Sequence, residues 1–220
     1  MTSIKKIFGL LLSAAALLAG AQASAGVVQI TGGSTITTAA SGTNKNDVLG
    51  GSVKMQDNAA ISVTGPAILT FYFLGSESGY TNTLRVGGSL SHAEPANGLQ
   101  TYPSAWPGTK LFSYTMNAGG SVPMRFTSSG FGTTLLPGGG DAAKSIAFAY
   151  LSCLSGPGCW TTTPTNTVLF ALDDSGAGPD DNHDDYVGYF VATPVPLPPA
   201  VWLLGSALLG LLGIGRRHAA

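Results

Sequence analysis

The amino-acid sequence predicts an all-β protein whose body is a β-sandwich or jelly roll. Short runs rich in β-branched and aromatic residues recur along the chain, and Gly- and Pro-containing turn signals separate them. No window of the body has a sustained helical period. Gly is abundant, at 31 of 220 residues, and only 10% of the residues are charged. This composition is typical of short strands joined by many turns.

Roughly ten segments are predicted as strands. They are residues 27–31, 34–38, 61–63, 67–74, 83–86, 110–114, 122–127, 145–151, 167–172 and 185–192. Segment 67–74 is almost entirely apolar, so we expect it to be buried on both faces of a sheet. Pro123 has no amide hydrogen, which predicts an edge strand for 122–127.

Segment 91–109 has no alternation and contains several Pro and Gly residues, so it is predicted to be a long loop. It carries two aromatic residues, Tyr102 and Trp106. Long loops on a β-scaffold often bind ligands, and these two side chains are candidates for carbohydrate binding. The other interpretation, which we favour, is that both rings cap the core.

The first 25 residues predict an export signal peptide. Lys5 and Lys6 precede an apolar run, and Ala23 and Ala25 occupy the small-residue positions of a cleavage site after Ala25. The alternative is an N-terminal membrane anchor, but the apolar run is short and the cleavage site is clear. We therefore expect an exported domain at residues 26–193.

The only two cysteines, Cys153 and Cys159, fall in the exported part and flank a Ser-Gly-Pro-Gly turn. Disulfides form in oxidising compartments, so a Cys153–Cys159 disulfide is predicted. Free thiols are the alternative. A metal site is disfavoured because two thiolates supply only half of the usual four ligands.

The apolar stretch 200–215 carries no charge and is followed by Arg216 and Arg217. As a helix it would be about 24 Å long, against roughly 30 Å for a bilayer core. A thinned bilayer can accommodate that difference. The sequence predicts a single C-terminal transmembrane helix with its arginines in the cytoplasm and the body outside. A core helix is the alternative, but the stretch is apolar all round.

Residues 194–220 as a whole resemble a known targeting signal. The motif Val195-Pro196-Leu197-Pro198, the apolar stretch and then Arg216-Arg217 resemble the PEP-CTERM sorting signal of Gram-negative bacteria, in a variant with Leu197 in place of Glu. The resemblance implies recognition by an exosortase-type enzyme and cleavage near the prolines. It also implies delivery to the cell surface or beyond, often in association with exopolysaccharide and biofilm.

An acidic loop between the last two predicted strands holds six of the eleven acidic residues. Its candidate calcium ligands are Asp173, Asp174, Asp180, Asn182, Asp184 and Asp185. Three of them follow the D-x-N-x-D spacing of calcium loops, although the remainder of an EF-hand is missing. The loop also resembles an Asp-rich hairpin of many PEP-CTERM proteins. The alternative is a solvated turn whose Asp side chains cap backbone N–H groups, with His183 exposed.

No feature of the sequence predicts an enzyme. It contains no G-x-S-x-G elbow, P-loop or dinucleotide fingerprint, and nothing near its two glutamates, Glu77 and Glu94, predicts a raised pKa. The net charge of −1 disfavours nucleic acid as a partner. We expect a cell-surface or matrix structural protein. The alternatives are a calcium-dependent carbohydrate-binding module and an exopolysaccharide hydrolase. Expected partners are the export machinery, the exosortase, the membrane and exopolysaccharide.

Overall fold

The computed structural model describes residues 28–38, 46–94, 98–100, 106–130, 132, 134–140, 144–174, 182–195, 203 and 205–207. The chain divides into two units, one of which is Gly26–Pro194; the other comprises the two chain ends. The predicted signal peptide, with Ala23 and Ala25, lies outside the described residues. So does most of the predicted sorting segment, including Pro196, Leu197, Pro198, Arg216 and Arg217. In the described part of the chain, no helix is both long and apolar enough to cross a membrane.

The fold class is all-β, as predicted. The described residues of the β-domain form sixteen strands and a short 3-10 helix, Pro157–Cys159; residues 203 and 205–207 are helical. The strands are β1 (Val28–Thr31), β2 (Ser34–Thr37), β3 (Lys54–Asp57), β4 (Ala60–Val63), β5 (Ala67–Ser78), β6 (Asn82–Val86), β7 (Leu90–Glu94), β8 (Gly98–Gln100), β9 (Thr109–Met116), β10 (Gly120–Ser121), β11 (Met124–Ser128), β12 (Thr134–Leu135), β13 (Ser145–Leu151), β14 (Trp160–Thr161), β15 (Thr167–Asp173) and β16 (Tyr186–Pro194).

These strands form three antiparallel sheets. The main sheet has the order β2-β3-β13-β15-β16-β5-β8, with β14 paired to β13 and β9 paired to β5. A second sheet has the order β12-β11-β6-β7, and a third has the order β1-β4-β10. In the main sheet β13, β15, β16 and β5 are central, so their side chains are the ones that can be buried on both faces.

Two hydrophobic cores lie on the two faces of the main sheet. The first core joins main-sheet residues such as Phe71 and Phe170 to Leu84 and Phe126 of the second sheet and Ile61 of the third. The second core contains the alternate residues of the same strands, packed against β3 and the segment that precedes it. Its members include Leu49, Met55, Leu169, Val187 and Tyr189. Because successive strand residues point to opposite faces, one run of apolar residues supplies both cores.

The prediction that 67–74 is buried on both faces is wrong for the first half of β5. There the buried residues alternate with Ile68, which is 38% exposed, and with the half-buried Thr70. The strand also continues four residues further than predicted, through a polar end that terminates at Ser78. Only one face of the first half of β5 packs against a core.

The prediction of a long loop at 91–109 is also wrong, because the segment contains most of β7 and all of β8. The side chains of β7 do alternate between more and less buried positions. Two of the inward positions are occupied by His92 and Glu94, however, so the alternation is not an alternation of apolar residues. A search for apolar side chains at every second position therefore misses this strand.

The predicted edge position of 122–127 is wrong as well. The strand in this region, β11, pairs with β6 on one side and β12 on the other. Pro123 precedes the first residue of β11, Met124, so its missing amide hydrogen lies outside the strand ladder.

The predicted disulfide is confirmed: Cys153 and Cys159 are bonded, with their Cα atoms 5.1 Å apart. The bond closes the hairpin between β13 and β14. The backbone amide of Ser152 donates to the carbonyl oxygen of Cys159 across the same hairpin, at 2.7 Å. The disulfide and this hydrogen bond hold the two strands together.

We expect the double substitution Cys153→Ser and Cys159→Ser to lower the free energy of unfolding by about 2 kcal/mol, because the bond closes only a short loop in the unfolded chain. Urea unfolding of the variant, compared with that of the wild type with and without a reducing agent, measures this change. If neither reduction nor the substitution shifts the midpoint, the disulfide contributes nothing to stability.

Candidate functional site

The described members of the acidic loop are buried, although a solvated turn was one of the two predictions. Their exposed fractions lie between 1% and 8%: Asp173, Asp174, Asn182, Asp184 and Asp185. The sixth predicted ligand, Asp180, lies outside the described residues. The capping part of that prediction is confirmed, since carboxylate oxygens of Asp184 and Asp185 accept the backbone N–H groups of Asp47 and Asp174 at 2.9 and 2.7 Å.

One predicted ligand, Asp184, belongs to a carboxylate cluster whose other members were not predicted. Asp47, Glu77 and Asp184 each place a carboxylate oxygen within 4.8 Å of the others. We call these three residues the outer cluster, because Asp47 and Glu77 are only half-buried. Three converging carboxylates offer the oxygen ligands that calcium and magnesium prefer.

Hydrogen bonds to backbone carbonyl oxygens hold the outer cluster in place. The amide of Glu77 donates to the carbonyl oxygen of Asp184 at 2.8 Å, which extends the pairing of β5 and β16. The buried side chain of Asn46 donates to the carbonyl oxygens of Asn182 and His183 at 3.1 and 2.8 Å. The turn that carries Asp47 is therefore attached directly to the acidic loop.

A second polar group lies at the same end of the domain. Its five members, each at most 4% exposed, are Ser76, Ser78, Asn82, Glu94 and Asp174, and we call them the inner cluster. The hydroxyls of Ser76 and Ser78 donate to Glu94 and Asp174 at 2.5 and 2.7 Å. The amide nitrogen of Asn82 donates to Asp174 at 2.5 Å and to Ser78 at 3.0 Å. Of this cluster, the sequence predicted only Asp174.

The inner cluster occupies strand positions where the alternation calls for core residues. Asn82 precedes Leu84 by two positions in β6, and Asp174 follows Leu172 by two after β15; both leucines belong to the first core. Glu94 stands in the same relation to His92 in β7. The inner cluster is thus a polar layer at the end of the first core. These members can be found in the sequence if the alternation of inward-facing residues is continued by two residues beyond the end of each strand's apolar pattern.

A β-bulge gives β5 its place in both clusters. Leu74 has no partner residue on β16, so one extra residue is inserted into β5 at this point. Before the bulge, odd-numbered residues such as Phe71 belong to the first core. After the bulge the alternation is reversed, and the even-numbered Ser76 and Ser78 reach the inner cluster, whereas Glu77 points to the outer cluster.

Burial raises the pKa of two carboxyl groups in this region, Glu94 of the inner cluster and Asp185 of the acidic loop. It raises the pKa of Glu94 to about 7, with a further increase from Asp174, although hydrogen bonds from Ser76 and Asn82 oppose the change. Burial likewise raises the pKa of Asp185 to about 9, and the charge of Asp174 adds to it. The expectation that no glutamate has a raised pKa is therefore wrong for Glu94, because the polar layer lies inside the domain.

His183 is buried, at 3% exposed, and not exposed as predicted. Its Nε2 atom lies 2.9 Å from the hydroxyl of Ser145 and 3.1 Å from a carboxylate oxygen of Asp57. In a catalytic Ser-His-Asp triad the hydroxyl and the carboxylate contact different ring nitrogens, so this arrangement does not have triad geometry. Burial raises the pKa of Asp57, but the hydrogen bonds from His183 and Ser145 outweigh it and the pKa is lowered.

Of the two predicted sugar-binding aromatics, Trp106 packs against the second core. Its ring stacks on Tyr189 with centroids 5.9 Å apart, and the Tyr189 hydroxyl donates to the carbonyl oxygen of Pro107. This position agrees with the core-capping interpretation for Trp106. Tyr102 lies outside the described residues.

Comparison with known proteins adds no relative: no family model, no curated protein and no solved structure matches this chain. The inferences about function below therefore depend on the residues of this chain and on the resemblance of its C-terminal segment to a sorting signal.

Proposed function

We propose that this chain is an exported, non-enzymatic structural protein of the cell surface or extracellular matrix, sorted through a C-terminal PEP-CTERM signal. The observation that carries the proposal is the order of segments in the sequence. A signal peptide ending at Ala25 precedes the β-domain, and the Val195–Pro198 motif, the apolar stretch and the Arg216-Arg217 pair follow it. In this proposal the β-domain is a β-sandwich.

The two terminal segments act in succession in the proposed pathway. The signal peptide directs export and is removed after Ala25. The C-terminal helix then holds the precursor in the inner membrane, with its arginines in the cytoplasm. An exosortase-type enzyme cleaves near the prolines, and the domain reaches the surface or the exopolysaccharide matrix. The Cys153–Cys159 disulfide is consistent with an oxidising destination.

The double substitution Pro196→Ala and Pro198→Ala tests the sorting proposal in a Gram-negative host that carries an exosortase. We expect wild-type protein to lose its C-terminal segment and leave the inner membrane, which mass spectrometry and fractionation would show. The proline variant is expected to remain uncleaved in the membrane fraction. Pro137→Ala, in a turn of the β-domain, is the matched control and should be processed like the wild type. Full-length wild-type protein in the cytoplasm would contradict the proposal.

The outer cluster favours a second candidate function, a calcium-dependent carbohydrate-binding module. The three carboxylates of Asp47, Glu77 and Asp184 would hold the cation. Calcium-dependent retention of the full-length chain on immobilised exopolysaccharide is the expected result. Asp184→Asn should abolish that retention if the outer cluster is responsible. Retention that is unchanged by a chelator would exclude this second function.

A further inference from the structure

Within the described part of the chain, three side-chain oxygens of the inner cluster are buried and have no hydrogen-bond partner. They are Oδ1 of Asn82, Oε1 of Glu94 and Oδ1 of Asp174. The three side chains are 0%, 2% and 4% exposed. A buried acceptor without a partner costs about 1–3 kcal/mol, and native proteins keep few of them. Three such acceptors in one cluster indicate that the cluster binds a ligand that oxygen lone pairs can coordinate, such as a cation.

The three side chains are direct neighbours. Asn82 and Glu94 face each other in the register of β6 and β7. The amide nitrogen of Asn82 lies 2.5 Å from Oδ2 of Asp174. The hydroxyls of Ser76 and Ser78 lie against the other oxygens of the two carboxylates. Oxygen atoms from three strands and the acidic loop therefore meet in one buried place.

The inner cluster holds two carboxyl groups, Glu94 and Asp174, and the described residues place no lysine, arginine or histidine in an ion pair with either of them. The nearby ring of His92 is hydrogen-bonded to the Tyr186 hydroxyl at 2.7 Å instead. Two carboxylates buried together without a cation are costly, because each loses its hydration and repels the other.

We propose that the inner cluster is a buried calcium site in which Asn82, Glu94 and Asp174 supply the ligands, supported by the hydroxyls of Ser76 and Ser78. Calcium takes six to eight oxygens, including carboxylates and amide carbonyl groups, as ligands. The cluster contains no nitrogen or sulfur ligand of the kind that zinc prefers. A cation would bind the three oxygens that have no partner and neutralise both carboxylates. It would also connect β5, β6 and β7 to the acidic loop.

This site is distinct from the outer cluster. Glu77 lies between Ser76 and Ser78 in β5, so its side chain points to the opposite side of the strand. A proton on Glu94 is the simplest competitor for the cation, since it would also neutralise a charge. The O–H group of that protonated carboxyl could donate to only one neighbour, so at least one of the two oxygens, Oδ1 of Asn82 and Oδ1 of Asp174, would still lack a partner. Calcium binding here goes beyond the sorting proposal and does not depend on it.

Calcium titration of the full-length chain, after treatment with a chelator, tests the proposal. Calorimetry and melting temperature at pH 8 would be recorded for the wild type, Glu94→Gln and Glu77→Gln. We expect calcium to raise the melting temperature of the wild type. Glu94→Gln should weaken calcium binding at least tenfold, whereas the matched Glu77→Gln should change the affinity of the inner site less than twofold.

Three results would overturn the proposal: no calcium binding by the wild type, loss of all binding in Glu77→Gln but not in Glu94→Gln, or the same affinity in Glu94→Gln and the wild type. The second result would assign calcium to the outer cluster and leave the carbohydrate-binding candidate standing. Near-ultraviolet circular dichroism of Glu94→Gln in chelator shows whether the variant is folded. If it is not, Asn82→Asp provides the same test, because the added carboxylate should tighten calcium binding and not weaken it.

Discussion

Without divalent cations, the protein is expected to lose stability as the pH rises from 6 to 9. The inner cluster and the acidic loop cause this loss. In the folded state the pKa of Glu94 is about 7, and that of Asp185 is about 9. In the unfolded chain both groups return to their ordinary values, near 4. Over this pH range the folded state therefore binds more protons than the unfolded state does.

The direction of the effect follows from proton linkage. A carboxyl whose pKa is raised in the folded state contributes to stability while it is protonated. This contribution is lost as the pH rises from the unfolded-state pKa to the folded-state pKa. As the pH rises through about 7, Glu94 ionises in its buried position, and Asp185 follows near 9. Each proton held only by the folded state lowers the free energy of unfolding by about 1.4 kcal/mol per pH unit. We expect a total loss of about 5 kcal/mol between pH 6 and pH 9, most of it from Asp185.

Two other groups do not alter this expectation. Burial lowers the pKa of His92, so His92 adds stability with rising pH only below about its ordinary value of 6.5. The pKa of Asp57 is lowered, so its contribution is lost only in acid, below the pH range considered.

Glu94→Gln should remove the lower part of this pH dependence, because the amide cannot ionise and can still accept the hydrogen bond from Ser76. Urea unfolding of the full-length chain at several pH values, in chelator, provides the measurement. At pH 8 the variant is expected to be more stable than the wild type without calcium. An equal slope between pH 6 and pH 7 for both proteins would show that Glu94 does not titrate as described.

Phe170→Ala is expected to lower the free energy of unfolding by about 3–5 kcal/mol. Phe170 is fully buried in the centre of β15. Its ring lies near those of Phe71, Phe126 and Tyr186, with centroids 6.2, 6.1 and 6.3 Å away. Truncation would leave a cavity between the main sheet and the second sheet, which these rings join. Loss of ring contacts and the cavity both destabilise the fold.

The backbone opposite Phe170 shows why the cavity could not close easily. Gly188 pairs with Phe170 across β15 and β16, and a Cβ atom on Gly188 would lie 2.6 Å from the ring. The ring therefore already rests against backbone, which cannot move inward without disturbing the sheet. Ile68→Ala, at a 38% exposed site of β5, is the control and should cost less than about 1 kcal/mol. Similar denaturant midpoints for the two variants would contradict the described core.

Strands with runs of apolar residues could be predicted from the sequence, and polar strands could not. The segments 145–151 and 167–172 match β13 and β15 closely, because central strands are rich in β-branched and aromatic residues. Strand β7 was missed because His92 and Glu94 occupy its inward positions. In such a strand the local sequence resembles a loop, and only pairing with β6 shows that it is a strand.

The candidate site was predicted in part for a similar reason. The acidic loop is conspicuous because its carboxylates lie close together in the sequence. Its burial, and its contacts with Asp47, Glu77 and Glu94, depend on strands from distant parts of the chain. No local pattern contains that information, since each partner alone looks like an ordinary polar residue.

The sequence by itself determined the all-β class, the disulfide and the position of the acidic loop, because each depends on residues that are near one another in the chain. Only the tertiary structure decided where the loop's side chains point and which carboxylates they meet. The bulge at Leu74 illustrates the difference: one extra residue reverses the alternation of β5, so that Ser76 and Ser78 face the inner cluster and Glu77 faces the outer cluster. Which face each residue occupies follows from the register against β16, which no single segment specifies.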